Sequence, residues 1–216
     1  MKTAKKPAFN LGVVILAAGR SRRMGRPKLL LPWGETSVLG HQIRAWQRLG
    51  AGQINVVCAA GDSAIRAELN RLRFPKARRI SNPQPERGMF SSIRCAAQWT
   101  GWTAELTHWA ISLGDQPHVR QETRRTLLAF SANHATKVCQ PRVLGHPRHP
   151  VILPKDIFLQ LNQTNAPTLK EFLQTIPEDV THCDIDDLGL KFDIDTPADY
   201  ERALALYFKA RGADSQ

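Results

Sequence analysis

Gly12-Val13-Val14-Ile15-Leu16-Ala17-Ala18-Gly19-Arg20-Ser21-Arg22-Arg23-Met24-Gly25-Arg26-Pro27-Lys28 joins two contrasting textures. Its first five residues form an apolar, β-branched run of the kind found in a strand covered on both faces. From Leu16 to Lys28, five of thirteen residues are Arg or Lys, set in a loop otherwise built largely from Ala, Gly and Ser. So much charge directly after a buried strand suits a polyanion, either a partner met in solvent or a polyphosphate held by the loop. Gly19 and Gly25 allow close backbone approach, and Ala17 and Ala18 keep bulk off the same surface. Arg23 offers a planar fork to phosphate oxygens and Lys28 a point charge. Exposed amides add further donors. The loop is neither a G-x-G-x-x-G dinucleotide turn nor a Walker loop, because Gly25 is followed by Arg26-Pro27-Lys28.

Working outward, further short apolar runs predict strands over Val13–Leu16, Ile54–Ala59, Trp109–Leu113, Lys137–Gln140, Val151–Leu153 and Val180–Asp184. Amphipathic spacing predicts helices over Val38–Leu49, Ser63–Leu72, Ser92–Gln98, Arg120–Ala132, Leu169–Gln174 and Pro197–Ala210. The early alternation implies a three-layer α/β/α, Rossmann-like fold with a mainly parallel central sheet. Residues 140–190 are less regular and are expected to form a small antiparallel extension. A basic flexible tail is expected over residues 1–10, one domain over 11–210 and a flexible tail over 211–216. In open parallel sheets ligands bind beyond the carboxyl ends of the strands. Three segments fall there: the basic loop, Asn82 to Ser92, and Leu113-Gly114-Asp115-Gln116-Pro117.

The 216 residues carry a formal net charge of +11, which points to anionic partners without choosing among them. The five tryptophans occupy helix- or strand-like contexts and are not interleaved with Arg and Lys as in a single-strand binding surface, so no nucleic-acid partner is expected. Arg71, Arg73, Arg78, Arg79 and the Arg124-Arg125 pair read as a solvated face. No apolar run approaches the ~20 residues of a membrane span. The basic start and the Leu11–Ala18 run superficially resemble a signal peptide, but the apolar run is short and five basic residues follow it. Cys58, Cys95, Cys139 and Cys183 show no metal-binding spacing and are expected to be reduced and buried, in a cytoplasmic protein.

The pattern L-A-A-G-x-S-x-R-M-G-x-x-K resembles the loop of the molybdenum cofactor cytidylyltransferase-like (MobA/MocA-like) nucleotidyltransferases at every defined position. Asn82-Pro83 with Gly88-Met89-Phe90-Ser91-Ser92-Ile93 is similar to that family's base and ribose segment, although Ser91 or Ser92 also suits a helix cap. Gly114-Asp115-Gln116-Pro117 resembles its G-D-Q-P, and Phe192-Asp193-Ile194-Asp195-Thr196-Pro197-Ala198-Asp199 its D-I-D-T-P-E-D. Thr196 and Pro197 also suit the cap and first position of the last helix, with Asp199 in its first turn.

The resemblance implies transfer of a nucleoside monophosphate to a phosphorylated acceptor with release of pyrophosphate. Arg23, Lys28 and Asp115 are the implied catalytic residues. Leu16, Ala17, Ala18, Gly19, Ser21, Gly25, Asn82, Gly88 and Ser92 would hold the nucleotide. Magnesium would sit on Asp115 with Asp193 or Asp195, which lie two apart and so on one side of a strand. Gln116, Arg148 and His149 would meet the acceptor, with molybdopterin the acceptor implied. Ala18, where guanylyl relatives carry Gly, favours CTP over GTP. Two departures concern the acceptor: Arg148 replaces Gly in the family's G-H-P-V motif, and Asn165 to Lys170 replaces its G-D-x-G-A-R. They leave open a different phosphorylated acceptor, or a nucleotide-binding cofactor chaperone. A molybdoenzyme or insertion chaperone is the protein partner implied. His146 and His149 lack a third ligand for a metal.

Overall fold

The computed structural model describes residues 9–213. β1 (Leu11–Ala17) leads through the basic loop to a short hairpin, β2 (Pro32–Trp33) and β3 (Thr36–Ser37), and then to α1 (Val38–Arg48). β4 (Gln53–Ala59), α2 (Ser63–Arg71), β5 (Arg79–Asn82), α3 (Met89–Gln98), β6 (His108–Leu113) and α4 (Gln121–Asn133) follow in alternation. The remainder comprises β7 (Val138–Val143), β8 (His146–Pro147), β9 (Val151–Pro154), α5 (Lys155–Gln160), α6 (Leu169–Gln174), β10 (Val180–Asp184) and α7 (Pro197–Ala213).

The main sheet runs β10-β7-β9-β6-β1-β4-β5, with β8 on β7. β1 pairs in parallel with both β4 and β6, and β5 continues in parallel on β4. β9 runs antiparallel to both β6 and β7. It therefore restores β7 and β10 to the direction of β1. The expected antiparallel pairing is present in the β7–β8 hairpin and in β9, but β9 is inserted into the central sheet rather than added beyond it.

Alternation along the strands divides the core. Val13 and Ile15 face α1, α2, α4 and α7, packing with Leu39, Trp46, Leu69 and Leu127. Val14 and Val57 face α3, α5 and α6, packing with Ile93, Trp109 and Phe158. Trp33, Trp46 and Trp109 are buried, in keeping with a packing role.

Several boundaries move. α3 starts at Met89, so Gly88 occupies its N-cap and Ser91 and Ser92 lie inside its first turn. α7 continues to Ala213, past the expected end at 210. The basic tail lies outside the described residues up to residue 8, as do 214–216, but Phe9 stacks on His108 and Asn10 bonds the Glu105–Thr107 backbone and side chains. Arg124 is not on a solvated face. It shares the inward stripe of α4 with Thr123, Leu127 and Ser131 and is 2% exposed. The four cysteines are free, with Cys95 half-buried and the others buried.

Candidate active site

Chain order passes from β1 to β4 and β5 on one side and returns to β6 on the other, so a crevice opens where the direction of winding reverses. A cavity of about 270 Å³ occupies it. Leu16 near the end of β1 and Ala18 and Gly19 just after it enter its wall, Gly88 and Ser92 come from the N-cap and first turn of α3, and Asp115 follows the end of β6. Gly114 is required for closeness: a Cβ there would lie 2.6 Å from the Leu16 carbonyl oxygen. Any larger residue would wedge β1 away from β6, where Asp115 leaves the sheet.

The basic loop is folded by its small residues. Ser21 adopts φ 48°, and its Oγ accepts a hydrogen bond from the Lys28 amide at 3.1 Å. Met24 is buried and anchors the intervening turn. This closure turns Lys28 inward while Arg23 stays at the rim, its side chain 71% exposed.

Lys28 Nζ lies between two carboxylates. It contacts Asp115 Oδ2 and donates to Asp195 Oδ1 at 3.0 Å. Burial pulls the Lys28 pKa down, but Asp115 and then Asp195 outweigh burial and hold it above the ordinary lysine value. Arg23 donates to the other Asp195 oxygen at 2.7 Å. Asp193 completes the cluster. Its pKa is pushed up to about 6, first by burial and then by the neighbouring Asp115 and Asp195 charges.

The segment carrying Asp193 and Asp195 is extended but is not a sheet strand. The Ile194 amide donates to the Asp115 carbonyl at 3.1 Å, and the Ile194 side chain is fully buried. On either side of that anchor Asp195 reaches Lys28 and Asp193 reaches Gln116, beside the cavity rather than in its lining. Thr196 and Asp199 then bond each other's backbone amides and begin α7, a reciprocal cap.

Other expected residues stand further from the cavity. Ala17 is in the core. Asn82, 1% exposed, donates to Ser91 Oγ and Ser92 Oγ and accepts from the Gln84 amide, which ties the β5–α3 turn together. Gln116 is buried and donates to Asp193 Oδ1 at 2.8 Å, behind the carboxylate cluster. Arg148 and His149 instead line a separate groove of about 570 Å³ with Met89, Lys170 and His182. Met89 lines both spaces and so links them. Burial keeps the His149 pKa below the usual histidine value, and its Nδ1 lies 3.3 Å from the Ile111 carbonyl oxygen. Leu29 and Pro85 were missed from sequence; the apolar Leu29 reads as core, and only its place after Lys28 marks it.

Among the described residues, no three His, Cys, Asp or Glu side chains form a ready-made metal cage. The crevice instead supplies crowded oxygen donors beside a cationic loop. Magnesium held with a polyphosphate needs only one or two protein carboxylates, so Asp115 with Asp193 or Asp195 suits it chemically. No described helix is long and apolar enough to cross a membrane.

Residues 13–180 match a family described as the MobA-like NTP transferase domain. The molybdenum cofactor cytidylyltransferase of Escherichia coli K12 is 25% identical over 195 residues, covering 90% of this chain and 95% of that protein. The crystal structure of Rv0371c from Mycobacterium tuberculosis H37Rv superposes with a TM-score of 0.71 at 28% identity, covering 92% of this chain and 98% of that one. Its complex with manganese gives a TM-score of 0.68 at 26% identity, covering 92% and 99%.

Proposed function

This chain belongs to the MobA-like NTP transferase domain family and is a nucleotidyltransferase; on that premise we propose that it transfers CMP from CTP to the phosphate of molybdopterin, with magnesium, and releases pyrophosphate. The observation that carries the reading is Lys28 held between Asp115 and Asp195 at the mouth of the strand-end cavity. An ionised phosphate acceptor is already a nucleophile, so the site needs no strong general base. It needs the acceptor oxygen, the α-phosphorus and the leaving oxygen of the β-phosphate held in line, and compensation of charge that moves onto the leaving group.

The residues divide those tasks. Gly19 and the loop amides face the triphosphate, and Lys28 and Arg23 neutralise charge on the α-phosphate and the departing pyrophosphate. When the triphosphate enters, Lys28 exchanges carboxylate oxygens for phosphate oxygens. That exchange would free Asp115 and Asp195, which with the neighbouring Asp193 offer the carboxylates that would hold magnesium, whose contribution would be to offset phosphate charge. Gln116 positions Asp193 by its 2.8 Å hydrogen bond. Ala18 and Gly88 leave room for the nucleoside.

The groove beyond Met89 receives the acceptor. Leu169, Leu173 and Val180 give it an apolar floor, while Arg148 and Lys170 supply cations for a phosphate. A ring system bearing a terminal phosphate fits that division. The test is product mass after incubation with molybdopterin and either CTP or GTP. A CMP adduct formed faster than a GMP adduct supports the reading. Equal rates with both triphosphates remove the CTP assignment, and no adduct with either removes molybdopterin.

A further inference from the structure

A second concentration of arginine lies away from this crevice. A groove of about 490 Å³ runs between α1 and α4 and is closed at one end by the β2–β3 hairpin. Arg44 and Arg48 line it from α1, and Arg124 lines it from α4. Arg120 and Arg125, also in its wall, already meet carboxylates, Asp187 at 3.6 Å and Glu122 at 3.1 Å. Among the described residues no carboxylate lies within ion-pair distance of Arg44, Arg48 or Arg124.

Arg124 is the unusual member, a cation 2% exposed. Its guanidinium bonds only neutral oxygens: the Val119 and Gln116 carbonyls and Gln42 Oε1. Burial lowers its pKa to about 10. The nearby Asp187 carboxylate offsets part of that penalty and Arg48 adds to it; with no direct ion pair, a bound anion would relieve the remainder.

Independent evidence comes from polar atoms of other residues lining the same groove. Trp33 Nε1, Thr36 Oγ1 and His118 Nδ1 are buried without hydrogen-bond partners, on residues of which Trp33 is 1% and His118 5% exposed. His118 Nε2 lies 2.9 Å from the Gly189 carbonyl and 3.2 Å from that of Phe192, so Nε2 carries the proton. His118 Nδ1 is therefore an acceptor without a donor, in a groove where Arg44, Arg48, Arg120, Arg124 and Arg125 outnumber the carboxylates of Glu35 and Glu122. Buried polar groups are rarely left unmatched without a role.

We propose that this groove is a second ligand site, taking a small phosphorylated molecule that also carries hydroxyl groups. Phosphate oxygens meet Arg44, Arg48 and Arg124, Trp33 Nε1–H donates to the ligand, and a ligand hydroxyl donates to His118 Nδ1. The Gly114–Pro117 turn serves both sites, since Gly114 and Asp115 line the crevice and Pro117 lines the groove. Arg124 grips the Gln116 carbonyl within that same turn.

The test is calorimetric titration of the full chain with inorganic phosphate and with ribose 5-phosphate. The variants are Arg44→Gln/Arg48→Gln, which alters exposed helix positions only, and Lys28→Met. The site predicts binding in wild type and in Lys28→Met alike, tighter for ribose 5-phosphate than for phosphate, and at least tenfold weaker in the double variant. Affinity unchanged in the double variant overturns the proposal, as does loss of binding in Lys28→Met, which would place the ligand in the crevice. Equal affinity for the two probes, or no binding of either to wild type, overturns it as well.

Discussion

Replacing Lys28 by Met keeps the aliphatic stem and removes the charge that joins the basic loop to Asp115 and Asp195. At ~4 Å and an effective dielectric near 20, one such contact is worth about 4 kcal/mol before desolvation. Burying the ammonium takes back most of that, and Asp115 and Asp195 keep 19% and 28% exposure, so water partly replaces the lost partner. A net destabilisation of about 1–2 kcal/mol remains, or a fall in Tm of about 3–6 °C. The Lys28 pKa is raised by folding, so this stabilisation is fully present below the unfolded lysine value and is lost as pH rises through the folded one. The gap between wild type and variant should therefore be constant from pH 7 to 9. Turnover should suffer more, because the same cation meets charge that develops on the leaving pyrophosphate. A loss of about 10²–10³ in kcat/KM is expected, or about 3–4 kcal/mol. Thermal denaturation measures the first effect and coupled pyrophosphate detection the second. A folded variant within threefold of wild-type kcat/KM would refute the role given to Lys28.

Three further perturbations bear on the same frame. Asp193 has a folded pKa of about 6, above the ordinary aspartate value, so the native state retains its proton and stability falls as pH rises from about 4 to 6. Asp193→Asn should accordingly be more stable than wild type at pH 7.5 by about 1 kcal/mol, discounted for solvent access. In urea denaturation without metal that advantage should vanish at pH 3.5, while activity is lost; equal gaps at the two pH values would contradict it. Gly114→Ala should cost about 1–3 kcal/mol and depress kcat/KM, since its Cβ meets the Leu16 carbonyl. An unperturbed variant would show that β1 and β6 are not locked there. Burial lowers the pKa of His108 and His118, so their neutral forms stabilise the fold above pH ~6.5 and that contribution fades on acidification. In the Asp193→Asn background, stability should fall from pH 7 to 5; a rise would contradict the assignment.

The fold was readable from sequence where periodicity and composition agreed. β1 and β4 announce themselves as apolar β-branched runs, and their parallel pairing follows from the helix between them. β5 was missed because Arg79-Ile80-Ser81-Asn82 has one apolar residue; it is the edge strand and draws its order from pairing with β4. The place of β9 was missed because sequence shows a strand's existence but not where it inserts. Arg124 was misread because adjacent arginines resemble a solvated pair until helical phase is counted from Leu127.

Within the site, the loop motif pointed to Gly19 and Lys28, and the Gly114-Asp115-Gln116-Pro117 motif at a strand end to Asp115. It did not distinguish side chains that face the cavity from those that shape it, such as Asn82 and Gln116, because that depends on which polar atom each turn leaves unsatisfied. The proximity of Asp193 to Asp115 is held by bonds across more than 70 residues, from Ile194 to the Asp115 carbonyl, from Gln116 to Asp193 and from His118 to the Gly189 and Phe192 carbonyls, which no local pattern encodes.

The most direct test of the central claim is pyrophosphate release by the wild-type chain with CTP, magnesium and molybdopterin, omitting each in turn. The predicted result is release that requires all three. Sustained release that is indifferent to molybdopterin, or tight CTP binding with no release under any condition, would contradict nucleotidyl transfer to that acceptor.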